Sequence, residues 1–348
     1  MDRESVLAWR MIRQGLAEPV SREKAFIALL RALQPVSPVA MTMPGSPPRL
    51  VHRTTFDDDE IADGMRECRA LVKGRFWGGN IGYVLAEDLE LYATAFRKEL
   101  ERLNLLQERV YQALWSAGPL TPRQLKDETG LLNKQIMPAL HRLQKAFMVY
   151  EAQEDSSWER SWSLFEAEWE DVDLKRISWE EAAGEVLMRL LRSQVFAETA
   201  QLRDWSQFPV RGLSRVLEQL EAKGRILACE VDGLGAGWIL PQDEELEQRA
   251  PLRSVRMLHR ADPLVQSHLS NLKERFPGRE VLQYLLIDGA LDGAVCGHWR
   301  IGPHDVEDIT VDLSADEQEM RREEVIVEVA RRYDPPFSRI RRYCGQEL

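Results

Sequence analysis

Cysteine is scarce. The 348 residues hold four (Cys68, Cys229, Cys296 and Cys344), and no two fall in a CxxC spacing. That excludes a zinc site built on cysteine pairs and a disulfide framework, and it fits a reduced, cytoplasmic setting. Histidine patterning is equally thin. His52, His141, His259, His268, His298 and His304 include no HExxH and no ligand spacing, so no metal is expected. His298, beside Trp299, reads as structural. No stretch approaches the roughly 20 uninterrupted apolar residues of a membrane helix, and the first 30 residues carry charges throughout, with no signal-peptide core. No glycine loop opens a helix. Gly233-Leu234-Gly235-Ala236-Gly237 leads into a strand, so it reads as a hairpin turn rather than a phosphate cradle. No cofactor is expected.

A positive net charge is also missing. Forty-six bases against 57 acids give −11, which taken whole argues against nucleic acid. The distribution reverses that. Residues 150–185 alone hold twelve acids and three bases, a net of −9, while residues 1–53 hold eight bases and four acids. Arg66, Arg69, Lys73 and Arg75 form a further basic run opposed only by Glu67. Sign is segregated along the chain, and a local basic face is what phosphate contact requires. Ordinary solvated helix faces would give similar clusters.

Apolar spacing predicts two copies of one unit. In the first, Leu106, Val110 and Leu114 mark a helix. Thr121 and Pro122 then open a short helix closed by Gly130, and Ile136, Leu140 and Leu143 mark a third. Two strands follow, over 148–152 and 160–165. The second copy runs through helices at Val186–Leu191, Thr199–Trp205 and Pro209–Lys223 to strands Arg225–Val231 and Gly237–Leu240. Leu140 aligns with Leu217, Leu143 with Leu220 and Val149 with Ile226. Three helices and a hairpin, twice in tandem, is the winged-helix variant of helix-turn-helix. Residues 1–103 read as a looser copy, with helices over 4–15, 21–33, 57–72 and 87–103. A proline-rich loop (Pro35, Pro38, Pro44, Pro47, Pro48) and a strand pair within 74–85 lie between them. The expected fold is mainly α with α+β character. Its domains are an N-terminal winged-helix-like segment (1–103), winged helices at 104–170 and 175–241, and a small C-terminal α/β, sheet- or barrel-like domain (250–348). That last domain is expected to have strands at 281–287, 294–301 and 309–313.

In such units the third helix enters the major groove. Residues 131–147 carry Lys134, Arg142 and Lys145 and no acid, and residues 209–225 carry Arg211, Arg215, Lys223 and Arg225 against Glu218 and Glu221. These seven are the candidate DNA contacts. Trp158 and Trp162 flank the first hairpin, where they can stack on a base or simply pack. A protein-interaction or structural role for the tandem units stays open, and nothing in the sequence assigns an oligomeric state.

Several motifs resemble the AlkZ/YcaQ family of winged-helix DNA glycosylases. They are Arg13-Gln14-Gly15-Leu16, Val84-Leu85-Ala86-Glu87-Asp88-Leu89, Leu202-Arg203-Asp204-Trp205-Ser206 and Met257 through Asp262-Pro263. The last is Leu286-Ile287-Asp288-Gly289 with Gly297-His298-Trp299-Arg300. The resemblance implies binding of double-stranded DNA and hydrolysis of the glycosidic bond of an alkylated or crosslinked base. It also implies a Gln-apolar-Gln or Gln-apolar-Asp motif that holds the water. Here that motif reads Gln34-Pro35-Val36. Gln34 matches as the catalytic candidate, whereas Val36 has no group to hold a water. Gly78-Gly79-Asn80 departs from the family's Arg-Gly-Thr-like strand, leaving Ser37, Asn80 or Asp88 as substitutes. A non-catalytic DNA-binding or regulatory protein is the alternative.

Overall fold

The computed structural model describes residues 1–38, 46–153, 159–278, 280–298, 305–333 and 340–348. Pro44, Trp158, Trp299, Arg300 and His304 lie outside them, as do the ends of the strands expected at 294–301 and of the hairpin around 154–159.

The N-terminal segment contains α1 (Arg3–Arg13), α2 (Glu23–Leu33) and α3 (Asp59–Glu67). The hairpin β1 (Leu71–Phe76) and β2 (Asn80–Leu85) comes next, followed by α4 (Leu89–Phe96). The helix expected over 57–72 stops at Glu67. Arg69 turns the chain at φ 63°, and the buried Leu71 and Val72 enter β1. The long helix expected over 87–103 is likewise cut short at Phe96. There the Lys98 N–H donates to the Lys145 carbonyl at 2.8 Å, and this tertiary bond overrides helical periodicity.

The central repeat has the order the spacing predicts. Its first copy is α5 (Leu105–Ala117), α6 (Pro122–Thr129), α7 (Asn133–Lys145), β3 (Val149–Glu151) and β4 (Trp162–Leu164), with the short α8 (Phe165–Glu168) behind it. The second is α9 (Trp179–Gln194), β5 (Phe196–Ala197), α10 (Thr199–Ser206), α11 (Val210–Ala222), β6 (Leu227–Val231) and β7 (Gly235–Ile239). Both ends of α10 and of α11 fall 77 residues after those of α6 and α7. Thr121 and Gln124 form a reciprocal cap on α6, and Gly130 ends it at φ 65°.

A third strand position recurs between the first two helices. Leu120 bridges to Trp162 in one copy, and β5 pairs with β7 in the other. In the N-terminal segment Val36 does the same with Tyr83, exchanging bonds of 2.9 and 2.8 Å.

The C-terminal segment is a six-stranded sheet in the order β13-β12-β11-β10-β9-β8. It is formed by β8 (Val255–Leu258), β9 (Val281–Ile287), β10 (Ala290–His298), β11 (Asp305–Val311), β12 (Arg342–Tyr343) and β13 (Gln346–Glu347). Helix α14 (Ala315–Tyr333) covers one face through Val325 and Val329. Met11 of α1, with α12 (Pro263–Ser267) and α13 (Leu269–Arg275), covers the other. The three expected strands are present; the short β8, β12 and β13 are additional.

The largest core runs from Val72 to Leu240, beside separate clusters around α2 and around α5–α7. Phe96 of α4 packs against Trp205, Phe208 and Phe76 at ring distances of 5.6, 5.2 and 5.9 Å. Each such buried aromatic contributes about 2–3 kcal/mol. This packing presses α4 onto α9 and joins the N-terminal hairpin to both repeats.

Candidate functional site

Two polar regions are in question, one at Gln34 and one at the basic end of α7. Helix α2 ends at Gln34 because Pro35 has no N–H and disfavours helical geometry in the residue before it. The Gln34 side chain then turns inward, 2% exposed. Its amide nitrogen donates to Asp88 Oδ2 at 2.6 Å, and its oxygen accepts from the Leu85 N–H at 2.9 Å. Asp88 also accepts from Arg31 Nε at 3.2 Å and from Arg189 Nη1 at 2.9 Å. Arg31 further pairs with Glu87. Burial opposes charge on Arg189, but its bond to Asp88 prevails and strengthens its hold on the proton. One turn on, the phenol of Tyr92 is fully buried and pushed up by that burial, with the Arg189 guanidinium 5.9 Å from its ring centroid.

Gln34 therefore spends both amide atoms on the protein. Each atom keeps one further site, an N–H on the nitrogen and a lone pair on the oxygen, but at 2% exposure the surrounding packing leaves little room for a water to reach them. Val36 is aliphatic for a physical reason: it occupies the bridge to Tyr83 and packs with Phe26, Leu30 and Leu33. Of the expected substitutes, Ser37 donates to the Ile81 carbonyl at 2.9 Å and Asn80 to the Trp77 carbonyl at 3.0 Å. Asp88 alone touches Gln34. Replacing Gln34 by alanine should cost about 1–3 kcal/mol, because the buried Leu85 N–H loses its acceptor. Urea unfolding checks this, and an unchanged midpoint would mean the pocket is open to water.

The second region is built on α7. Lys134, His141 and Lys145 recur at seven- and four-residue intervals, on one stripe, and Arg142 flanks it. Lys134 and Arg142 are exposed, and Lys145 is half-buried. Two cations missed in the sequence, Lys98 and Arg102, arrive from the chain after α4. With Arg142 and Lys145 they line a cleft of about 430 Å³. Arg75 of β1 approaches from behind, bonded to Gln144 and to the Gly79 carbonyl at 2.6 and 3.1 Å. Burial pushes the Lys145 ammonium down, as do Lys98, Arg75 and Arg142 beside it. Among the described residues no carboxylate forms a salt bridge with Lys98, Arg102, Lys134, Arg142 or Lys145.

The α11 set is placed differently. Arg211, Arg215, Lys223 and Arg225 are all exposed, but Arg215 lies 3.1 Å from Glu180, and Lys223 faces Glu181 at the start of α9. The basic run at 66–75 is mostly spent inside the protein. Arg66 holds Asp63, Lys73 holds Glu151, and Arg69 holds Glu168 while stacking on Trp169. The same pairs use up Glu151 and Glu168 from the acidic stretch.

Three histidines resist protonation. Burial, then Arg256, lowers His52; burial, then Arg75, lowers His141; burial, then Arg10, takes His268 down to about 3. In the unfolded chain they titrate near 6.5. Below that pH the unfolded state binds more protons, so this stability is complete above pH 6.5 and is lost as the pH falls toward 3. The thermal midpoint should drop between pH 7 and pH 5, by the equivalent of about 1 kcal/mol per pH unit for His268. His268→Gln should flatten the profile; an identical slope in that variant would assign the effect elsewhere.

Among the described residues no group of three or more His, Cys, Asp or Glu is arranged to hold a metal ion, and no helix is long and apolar enough to cross a membrane. A family model described as DNA glycosylase AlkZ-like matches residues 49–333, a span that begins after Gln34. Among solved structures the chain is similar to the Streptomyces sahachiroi DNA glycosylase AlkZ. The TM-score is 0.71 at 17% identity, over 98% of this chain and 99% of the other. No curated protein matches the chain.

Proposed function

The chain belongs to the AlkZ-like DNA glycosylase family, and from that premise we propose that it binds double-stranded DNA through the cleft at the end of α7 without cutting a base through Gln34. The observation carrying the binding half is convergence. Lys98 and Arg102 from the linker meet Arg142 and Lys145 from α7, with no carboxylate lining the space. Lys134 extends the face along α7, and the family's glycosylase activity supplies the ligand class.

We read the two central repeats, 104–170 and 175–241, as tandem winged helices. The 77-residue offset and the recurring third strand position support this. The N-terminal segment would be a third copy, in which a loop replaces the second helix. The α11 cations, Arg211, Arg215, Lys223 and Arg225, serve as secondary phosphate contacts, because Glu180 and Glu181 partly neutralise them.

The bonds and burial of Gln34 support a non-catalytic role for it, as a link between α2, β2 and the start of α4. One observation favours a second reading. Asp88 touches Gln34 and is a carboxylate able to hold a water if Arg31 releases it. Excision that disappears in Asp88→Asn would select that reading.

The binding half is tested by fluorescence anisotropy of a labelled duplex over a salt series. With four phosphates contacted, log K should fall against log salt with a slope of roughly −4. A flat profile would remove the proposal.

A further inference from the structure

We infer that the α7 cleft is a socket for a terminal phosphate monoester, the group a DNA strand carries at an end or a nick. This rests on the DNA-binding reading and narrows its ligand. The cleft is lined by Lys98, Arg102, Arg142 and Lys145, together with Asn104 and Gln107. The oxygen of each amide is already engaged. Asn104 Oδ1 takes the Gln107 N–H at 3.0 Å, and Gln107 Oε1 takes the Asn104 N–H at 2.9 Å, as the cap of α5. Each has its NH₂ free to donate. Every polar side chain on the lining is therefore a donor, and four of the six are cations.

A donor-rich hollow with four cations and no carboxylate selects an anion. A phosphate monoester near pH 7 carries roughly 1.5 to 2 negative charges and three free oxygens, against one charge and two free oxygens for a backbone diester. Shape points the same way. Backbone diesters of a duplex meet the cations at the rim, and the hollow of about 430 Å³ between them leaves room for a group that protrudes from a strand end. Leu100 and Leu103 in the walls suit the attached sugar. The mutual repulsion already felt by Lys145 is what a dianion would relieve.

The test uses the full-length protein and four duplex probes: nicks bearing 5′-phosphate, 5′-hydroxyl or methyl-esterified 5′-phosphate, and a covalently closed circle. The 5′-phosphate nick should bind about tenfold more tightly than the other three. The exposed pair Lys98→Ala/Arg102→Ala should erase that preference at an unchanged thermal midpoint. Deoxyadenosine monophosphate in millimolar amounts should displace the phosphorylated nick. Equal affinity for all nicks overturns the socket while leaving duplex binding standing. Binding of the free mononucleotide as tight as that of the nick overturns the strand-end assignment. Failure to bind any duplex overturns the DNA reading and the socket with it.

Discussion

Asp262→Ala is expected to destabilise the protein by about 3–5 kcal/mol, the usual cost of stranding a buried charge. Arg53 is fully buried and Asp262 nearly so. The guanidinium bonds the carboxylate twice, at 2.6 and 2.9 Å, and reaches the Val51 carbonyl at 3.1 Å. Its Nε has no partner among the described residues, and Gln14 Oε1, 3.3 Å from Nη2, is a neutral acceptor that cannot replace the carboxylate charge. Asp262 also accepts the Leu264 N–H at 2.9 Å as the N-cap of α12, where a lost cap adds about 1 kcal/mol. The pair ties the N-terminal segment to the C-terminal sheet domain. Asp262→Asn keeps the cap and loses the charge, so it should fall between alanine and wild type. Arg53→Met combined with Asp262→Asn should recover part of the loss, since no buried charge then remains. Urea denaturation of the four proteins measures this. A cost below about 1 kcal/mol for Asp262→Ala would show that water reaches Arg53.

Arg142→Glu with Lys145→Glu should weaken duplex binding by at least about tenfold at moderate salt and reduce the salt slope by about 2. Two phosphate contacts go, and two repulsions replace them. Both residues lie in the last turn of α7, where acids oppose the helix dipole at a cost of about 0.3–1 kcal/mol each. Arg142→Gln with Lys145→Gln separates the two effects, because it removes charge without that penalty. It should lose the same two units of slope. The equivalent reversal on α11, Arg211→Glu with Arg215→Glu, should lose less, because Glu180 already offsets Arg215. An α11 effect larger than that of α7 would shift the binding face to the second repeat.

Local signals explain which parts of this fold were legible in the sequence. Thr121, Pro122 and Gly130 carry their own geometry, and the apolar spacing of α6–α7 and α10–α11 repeats without interruption. Asp262-Pro263 likewise announces a helix start. Its partner Arg53, 209 residues away, has no local signature, and neither does Arg189 beside Asp88. The two overextended helices fail at Arg69 and at Lys98, where contacts distant in sequence redirect the chain. β12 and β13 are two residues long, too short for alternation to register.

At the site, the three cations of α7 were readable because they share a helix face. Lys98 and Arg102 were not, since they belong to a linker that reads as helix. Val36 was legible as a departure from a glycosylase motif. Only the bridge to Tyr83 gives the reason: the backbone there needs a strand residue, and its side chain faces the core.

Binding and excision measured on the same samples go furthest toward the heart of the proposal. A duplex carrying one N7-alkylpurine, saturated with protein, is split between a mobility-shift gel and alkaline cleavage. Complete binding with no strand cleavage is the expected result, because the α7 cleft holds the duplex while Gln34 stays closed. Cleavage rising in step with the bound fraction would contradict it.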